Sequence, residues 1–265
     1  MNKLTQLLIF CFSIFLFTSC TDKEETGTVT IQFDHVVGGS IPGPTPLMLN
    51  QLSYYNRAEN LYQVNEVKYF ISKMRLISYE DKLVPIKQNR GIHYVDLNYP
   101  NTTTWELKEI PAGSYQAVQF VFGLDEEDNI SNSFPNPPEC NFFWPEHLGG
   151  GYHYMQINGK WEIEPGTLKN FNFHTGIGQL YRNNVIAIDS IFAYIHNYFI
   201  VTLPIDFEVE KNQNSTLRLV MDINEWFQNP YVYDHNVYGT SIMQNQEAQQ
   251  IIRENGRTVF GIYNK

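Results

Sequence analysis

Residues 142–155 read Phe-Phe-Trp-Pro-Glu-His-Leu-Gly-Gly-Gly-Tyr-His-Tyr-Met. Two histidines, a tryptophan, a methionine and three consecutive glycines fall in one short span. Imidazole and thioether groups are soft donors of the kind copper favours, and imidazole also suits zinc. Three glycines in a row permit repeated left-handed backbone, or a close approach of the chain to a neighbour, beyond what a simple turn requires. The same residues also suit a hairpin turn between two aromatic core strands, the more ordinary use of such a stretch, because most histidines meet no metal. Two further histidines end strand-like runs beside glycine. His174 closes Phe171-Asn172-Phe173-His174-Thr175-Gly176. His35 closes an alternating run in which Val29, Ile31, Phe33 and His35 share one face. Each is either a hydrogen-bonded core histidine or a ligand aimed into a cleft. His93, His196 and His235 have no partner at ligand spacing and read as structural or exposed, and His147, beside Glu146, reads as solvated. Cys140 is either a small buried hydrophobe or a soft ligand.

The elements that must position these groups are mostly strands. Aromatic residues make up 15% of the chain, and 17 Gly and 13 Pro are spread through it, a composition of strands separated by many turns. Runs at residues 67–79, 83–86, 93–97, 115–124, 171–176, 186–191, 199–204 and 215–220 read as strands. Asn158-Gly159, between two alternating runs, reads as a hairpin turn. Asp222-Ile223-Asn224-Glu225 has the form of a capping box opening a short helix through Phe227. Asn245 caps the one longer helix, which Gly256 ends. The pattern predicts a mainly β fold, an antiparallel sandwich or open barrel with short helical additions and a C-terminal helix.

Met1-Asn2-Lys3 followed by an almost unbroken apolar run at residues 7–17 is too short to span a membrane as a mature helix and reads as a secretory leader. Thr18-Ser19-Cys20 resembles a bacterial lipobox, with Phe17 where an aliphatic residue is usual. An ordinary cleaved signal is the other reading; the polar stretch after Cys20, suited to a tether, favours lipidation of Cys20. Expected boundaries are a leader at 1–19, a tether at 20–27 and one β domain at 28–265. The chain is then an outer-membrane lipoprotein facing the periplasm or the cell exterior, touching membrane only through its lipid. The charge of −10, from 18 Lys and Arg against 28 Asp and Glu, argues against nucleic acid as a partner. Once Cys11 leaves with the leader and Cys20 takes lipid, Cys140 has no cysteine left to pair with.

Taken in order, several segments resemble the MbnP-like family, named for a periplasmic copper-binding protein associated with methanobactin. They are the strand over residues 64–76, the Pro111-Ala112-Gly113-Ser114-Tyr115 turn, Phe120-Val121-Phe122-Gly123, Phe143-Trp144 with Gly151-Tyr152-His153-Tyr154, and the Phe171 to Gly176 segment. The resemblance runs from about Thr28 to the C-terminus. It implies a β-rich fold with a mononuclear copper site built on histidines. His174 and then His35 are the implied ligands, with His153 a further candidate. It also implies that Trp144 is the tryptophan that a partner di-haem protein oxidises to kynurenine next to the metal. The chain departs from the family pattern in lacking cysteines after His174-Thr175-Gly176, and in placing Pro145-Glu146 after Trp144.

The function expected is therefore copper capture or handling in the cell envelope. A metal-free adhesion or ligand-binding module using the aromatic stretch over residues 142–161 is the alternative. No Gly-x-Ser-x-Gly, His-Glu-x-x-His, Walker or dinucleotide motif marks an enzyme. Asp125-Glu126-Glu127-Asp128 reads as a solvated loop.

Overall fold

The computed structural model describes residues 25–38 and 45–262. Cys20 and the leader lie outside the described residues. In chain order the strands of the first half are β1 (Thr26–Val37), β2 (Thr45–Pro46), β3 (Tyr54–Tyr55), β4 (Leu61–Ser78), β5 (Leu83–Pro85), β6 (His93–Asp96), β7 (Thr104–Pro111) and β8 (Gly113–Phe122). Those of the second half are β9 (Met155–Glu164), β10 (Thr167–Thr175), β11 (Ile177–Tyr181), β12 (Ile191–His196), β13 (Phe199–Val209), β14 (Asn214–Asp222) and β15 (Phe260–Ile262). Two α-helices, α1 (His235–Tyr238) and α2 (Gln246–Asn255), and several 3-10 turns complete the described chain.

Two sheets face each other without closing into a barrel. One runs β15-β14-β1-β2, with β7 also on β1; the other runs β10-β9-β4-β8-β13, with β3, β5 and β6 also on β4. A separate hairpin joins β11 and β12. The main core lies between the sheets. The alternation of β1 buries Val29, Ile31 and Phe33 there, against Leu217, Leu219 and Met221 of β14. From the facing sheet come Tyr69, Val118, Phe120, Met155, Phe171 and Phe173.

The pair at the centre of the first sheet is parallel, in register from Thr28↔Asn214 to Val36↔Asp222, where a wholly antiparallel fold was expected. β1 and β14 are far apart in sequence, so no tight turn sets their relative direction. β7, on the other edge of β1, is not evident in the sequence pattern, because the adjacent Lys108 and Glu109 break the alternation of the buried Trp105, Leu107 and Ile110.

β4 governs the second sheet. Ile71 pairs with both His93 of β6 and Phe122 of β8, while Tyr69 pairs with both Val95 of β6 and Met155 of β9. Since β6 occupies one edge throughout, β9 and β8 follow one another along the opposite edge. They part at Phe70, whose N–H donates to the Tyr154 carbonyl and whose carbonyl accepts from the Gly123 N–H. Residues 123–154 leave and re-enter the sheet at this seam. They fold back over its outer face as a second core of Phe70, Tyr94, Leu124, Phe142, Trp144, Leu148, Tyr152, Tyr154 and Ile177.

Two sequence readings fail for physical reasons. Asn158-Gly159 is not a turn: both residues lie inside β9, and the chain reverses at Pro165-Gly166 instead. Gly159 is small because a Cβ there would run into the Gln63 carbonyl and the Phe171 ring. Residues 186–191 are mostly turn and 3-10 helix, with the strand starting only at Ile191, because their apolar residues Ile186 and Ile188 are exposed rather than facing a core. The helix caps hold. The Asn245 side chain accepts from the Ala248 N–H, and Asp222 accepts from the Asn224 N–H at the head of a 3-10 turn. β1 begins at Thr26, two residues inside the stretch expected to be tether.

His235 is fully buried in a cage of Trp161, Phe171, Phe227 and Tyr233, with its ring stacked 4.4 Å from that of Phe171. Neither ring nitrogen has a hydrogen-bond partner. Burial pushes this imidazole down to about 3, weakly opposed by Asp234. The unfolded chain protonates it near 6.5, so between those values the unfolded state binds the extra proton. The stability His235 allows is therefore complete above pH 6.5 and declines as pH falls through the window. In urea unfolding, His235→Leu is expected to lose less stability per pH unit below 6.5, by up to about 1.4 kcal/mol. Gly159→Ala is expected to lower stability at pH 7 by about 1–3 kcal/mol through overpacking, read as a lower urea midpoint at unchanged slope.

Candidate metal centre

His153 is placed by the loop that leaves the sheet at Phe70. Gly149, Gly150 and Gly151 have φ of 120°, 70° and 77°, so all three take backbone that side-chain-bearing residues rarely adopt. The reversal they make brings Trp144 N–H to the Gly151 carbonyl at 2.8 Å and His153 N–H to the Phe142 carbonyl at 2.9 Å. Asn129 and Ser131 pin the return, accepting from Tyr152 N–H and Gly151 N–H, each at 2.8 Å. The expected hairpin between two core strands is thus a loop closed by one isolated bridge, Phe143↔Tyr152, with 3-10 turns in between.

His174 is placed by register. It sits opposite Gln156 of β9, which sits opposite Lys68 of β4. Directly opposed residues share a face, so His174, Gln156 and Lys68 point away from the main core, whereas Thr175, Met155 and Tyr69 point into it. His153 and His174 meet there, ring centroids 5.1 Å apart and planes at 84°. Trp144 closes the other side of His153, edge on at 4.8 Å and 77°. The indole is fully buried, and its N–H donates to the Leu148 carbonyl at 3.1 Å. Gly176 makes room for it: a Cβ there would stand 2.6 Å from the indole Cε3. The His-x-Gly spacing therefore puts a ligand-type side chain and a tryptophan seat two residues apart on one chain.

The hydrogen bonds fix which nitrogen of each imidazole carries its proton. His153 Nδ1 lies 3.1 Å from the Phe142 carbonyl, which only accepts, so Nδ1 is the donor and Nε2 keeps its lone pair. His174 Nε2 lies 2.7 Å from Asn158 Oδ1, and Asn158 Nδ2 donates to Glu66 at 2.6 Å, which orients the amide. His174 Nε2 therefore donates and Nδ1 keeps its lone pair. Glu66 in turn pairs with Lys68. The two lone-pair nitrogens, His153 Nε2 and His174 Nδ1, are both buried and both without a partner. Desolvation holds His153 down at about 4, against the carbonyl hydrogen bonds that raise it. Desolvation first, then the neighbouring His153 and the Lys68 ammonium, holds His174 at about 3. At neutral pH the pair is two uncharged imidazoles.

This donor set fits the metal that the resemblance implies. A ligating histidine characteristically donates its second N–H to a carbonyl or an oriented polar group while the free nitrogen faces the ion, and both histidines here are arranged in that way. A buried nitrogen left unpaired is otherwise unfavourable by roughly 1–3 kcal/mol. Among the described residues no three His, Cys, Asp or Glu side chains come together, so the donor set consists of these two imidazoles beside the indole.

His35 does not join them. It lies on the main-core side, its Nε2 3.1 Å from the Tyr69 hydroxyl, and Tyr69 faces opposite to Lys68 and His174. The second implied ligand is therefore separated from the first by the thickness of the sheet. His153, the third candidate, takes its place. Cys140 is partly exposed, its Sγ 3.7 Å from Asn141 Oδ1. His93 is stacked between Phe33 and Trp105 and its Nε2 faces the Thr102 carbonyl. Three supporting residues escaped the sequence reading. Asn158 was taken for a turn residue, Glu66 lies in an alternating strand like any solvated glutamate, and Gln249 is a buried polar residue of α2. Gln249 donates to the His174 carbonyl at 2.8 Å and so anchors the end of β10. The signal available for Asn158 was its sequence position: two residues from the face-matched Gln156 and opposite Asn172, it lies on the histidine face.

Residues 26–244 match the family described as MbnP. MbnP from Methylosinus trichosporium is similar in structure, with a TM-score of 0.53 and 16% sequence identity over 79% of this chain and 80% of that one. No curated protein matches. The matched span contains the strand that carries His174, the glycine loop that leads to His153, Trp144, and the Asn158 and Glu66 pair behind His174, and the chain thus belongs to the MbnP family.

Proposed function

We propose that this chain is a non-catalytic, copper-binding lipoprotein of the cell envelope that holds one copper ion through His153 Nε2 and His174 Nδ1 beside Trp144. The observation that carries the reading is the pair of buried, unpartnered lone-pair nitrogens whose opposite N–H groups are already committed. Both ligands are neutral and no carboxylate faces the ion; Glu66 is engaged by Asn158 and Lys68. The penalty for burying an ion grows with the square of its charge, so a dry site with neutral donors favours a monovalent ion over a divalent one. That argument points to Cu(I) rather than Zn(II) or Cu(II) as the species held, and thus to capture and storage. Family membership supports the copper assignment, and the structural relative carries the MbnP name. The lipobox-like Thr18-Ser19-Cys20 supports anchoring of Cys20 to the outer membrane, facing the periplasm or the cell exterior. Oxidation of Trp144 by a di-haem partner is the further step the family resemblance suggests, and burial of the indole against His153 puts any such product next to the ion.

Competition titration against a chromogenic Cu(I) chelator under anaerobic conditions is expected to show one equivalent bound by the soluble domain. His153→Ala and His174→Ala are each expected to abolish that binding, and His35→Ala to leave it intact. Absence of copper binding with both site histidines in place would sink the proposal. Asn158→Leu leaves the ligands but frees the His174 ring, and is expected to weaken the copper Kd about 10–100-fold, the usual effect of removing a ligand's supporting hydrogen bond. Intact mass of the protein from its native host is expected to show diacylglyceryl-type lipid lost in Cys20→Ser, and any oxygen gain localised to Trp144.

A further inference from the structure

We propose that the cleft between the β11–β12 hairpin and the start of α2 is a second binding site, and that it takes a neutral oligosaccharide. The cleft has a volume of about 910 Å³, within the roughly 300–1,000 Å³ typical of ligand pockets. Among the described residues its lining contains no Asp, Glu, Lys, Arg or His, although the chain as a whole carries a charge of −10. A charged ligand would find no counter-ion in that lining, the neighbouring Arg182 being stacked over Phe192, and desolvating it would be unfavourable.

What lines the cleft instead is a set of primary amides and aromatic rings. Tyr181 and Phe192 supply the rings; of the amides, Gln179, Asn245 and Gln246 are engaged by Leu148, the Ala248 N–H and Asn197, and Asn184 and Gln244 face a ligand. A primary amide donates and accepts side by side, which matches the paired donor and acceptor character of a sugar hydroxyl. Phe192 is 54% exposed and Ile186 63%, an open apolar platform at the mouth suited to the C–H face of a sugar ring. One side of Phe192 is covered by the Arg182 guanidinium at 5.9 Å, which leaves the opposite face for a ligand.

The amides are held in orientation. Gln244 Nε2 donates to the Tyr181 hydroxyl at 3.2 Å, that hydroxyl donates to Gln179 Oε1 at 3.3 Å, and Gln179 Nε2 donates to the Leu148 carbonyl at 2.9 Å. Gln179 is buried, so its rotamer is fixed by these bonds. Leu148 is the same carbonyl that receives the Trp144 indole N–H. One hydrogen-bonded chain therefore runs from the cleft wall to the tryptophan of the metal centre, although the cleft needs no metal to bind a sugar.

Saturation-transfer NMR and calorimetry on the metal-free soluble domain test the proposal. The probes are maltotriose, cellotriose, xylotriose and triacetylchitotriose, with trigalacturonate as the anionic comparator and a neutral apolar tripeptide as the peptide comparator. At least one neutral trisaccharide is expected to bind saturably. Phe192→Ala and Gln244→Ala are each expected to weaken it roughly five- to tenfold while leaving the copper titration unchanged. His153→Ala with His174→Ala is expected to abolish copper binding and keep sugar binding, so loss of one reading does not remove the other. Absence of binding by every neutral sugar, stronger binding of trigalacturonate or of the peptide, or sugar affinity untouched by both cleft variants would each overturn the proposal.

Discussion

One hydrogen bond decides whether the outer face of the large sheet is a core or a ligand site. His174 Nε2 donates to Asn158, and this fixes the ring so that the nitrogen keeping its lone pair is the buried, unpartnered Nδ1. Reverse the tautomer and His174 Nδ1 becomes a buried donor with nothing to receive it, while two acceptors, Asn158 Oδ1 and the ring Nε2, face each other. Glu66 prevents that outcome by holding the Asn158 amide in one orientation, and Lys68 pairs with Glu66 and keeps it in place. Everything else at the site follows from the need to shield the lone pair: the loop over the seam, the three left-handed glycines, and the indole packed on Gly176.

The shielding is possible because the molecule has two cores sharing one sheet. The main core needs β4, β9 and β10 to present apolar residues inward, and period-two alternation then sends Lys68, Gln156 and His174 outward without further choice. An outward histidine on a bare sheet would sit in water near its ordinary pKa. The seam at Phe70 changes that, because the chain between β8 and β9 covers this face with aromatic side chains. Burial of the rings is a consequence of loop placement, and their low pKa values are a consequence of burial. The loop thus converts a solvated strand residue into a neutral donor without any charged partner.

Much of the architecture was legible because it follows from periodicity and caps. β1, most of β4, β8, β10, the Asn245 cap and the Asp222 cap can be read from alternation and from side chains that close backbone N–H groups. Trp144, His174 and His153 were legible by type and spacing, and the structure brings the three together. What was not legible depended on contacts between distant segments. Asn158-Gly159 has the local chemistry of a turn, yet Phe171 and Gln63 demand a glycine in mid-strand, and His174 demands the amide beside it. His35 shares every local feature of His174, a strand end beside glycine, but lies on the face that looks into the sandwich. Which of two equivalent strand faces is covered by which layer is a property of topology, and topology includes a parallel pairing between the two ends of the described chain that no local pattern encodes.

The arrangement also explains why the site tolerates so little polarity. Two imidazoles with buried, unmatched nitrogens are unfavourable to the fold. A carboxylate in the aromatic wall around them would relieve this, but it would bind a proton or a divalent ion in preference to a monovalent one. Glu66 and Lys68 stand behind Asn158 rather than against the imidazoles, so the groups touching the unpaired nitrogens are uncharged while the amide that orients His174 is still held. If an ion binds as proposed, it would return the stability that the unpaired nitrogens give up, since any ligand that binds only the folded form stabilises it by an amount that grows with the logarithm of its concentration over its Kd. Under the proposed reading, the protein's folding free energy would register whether the metal is bound.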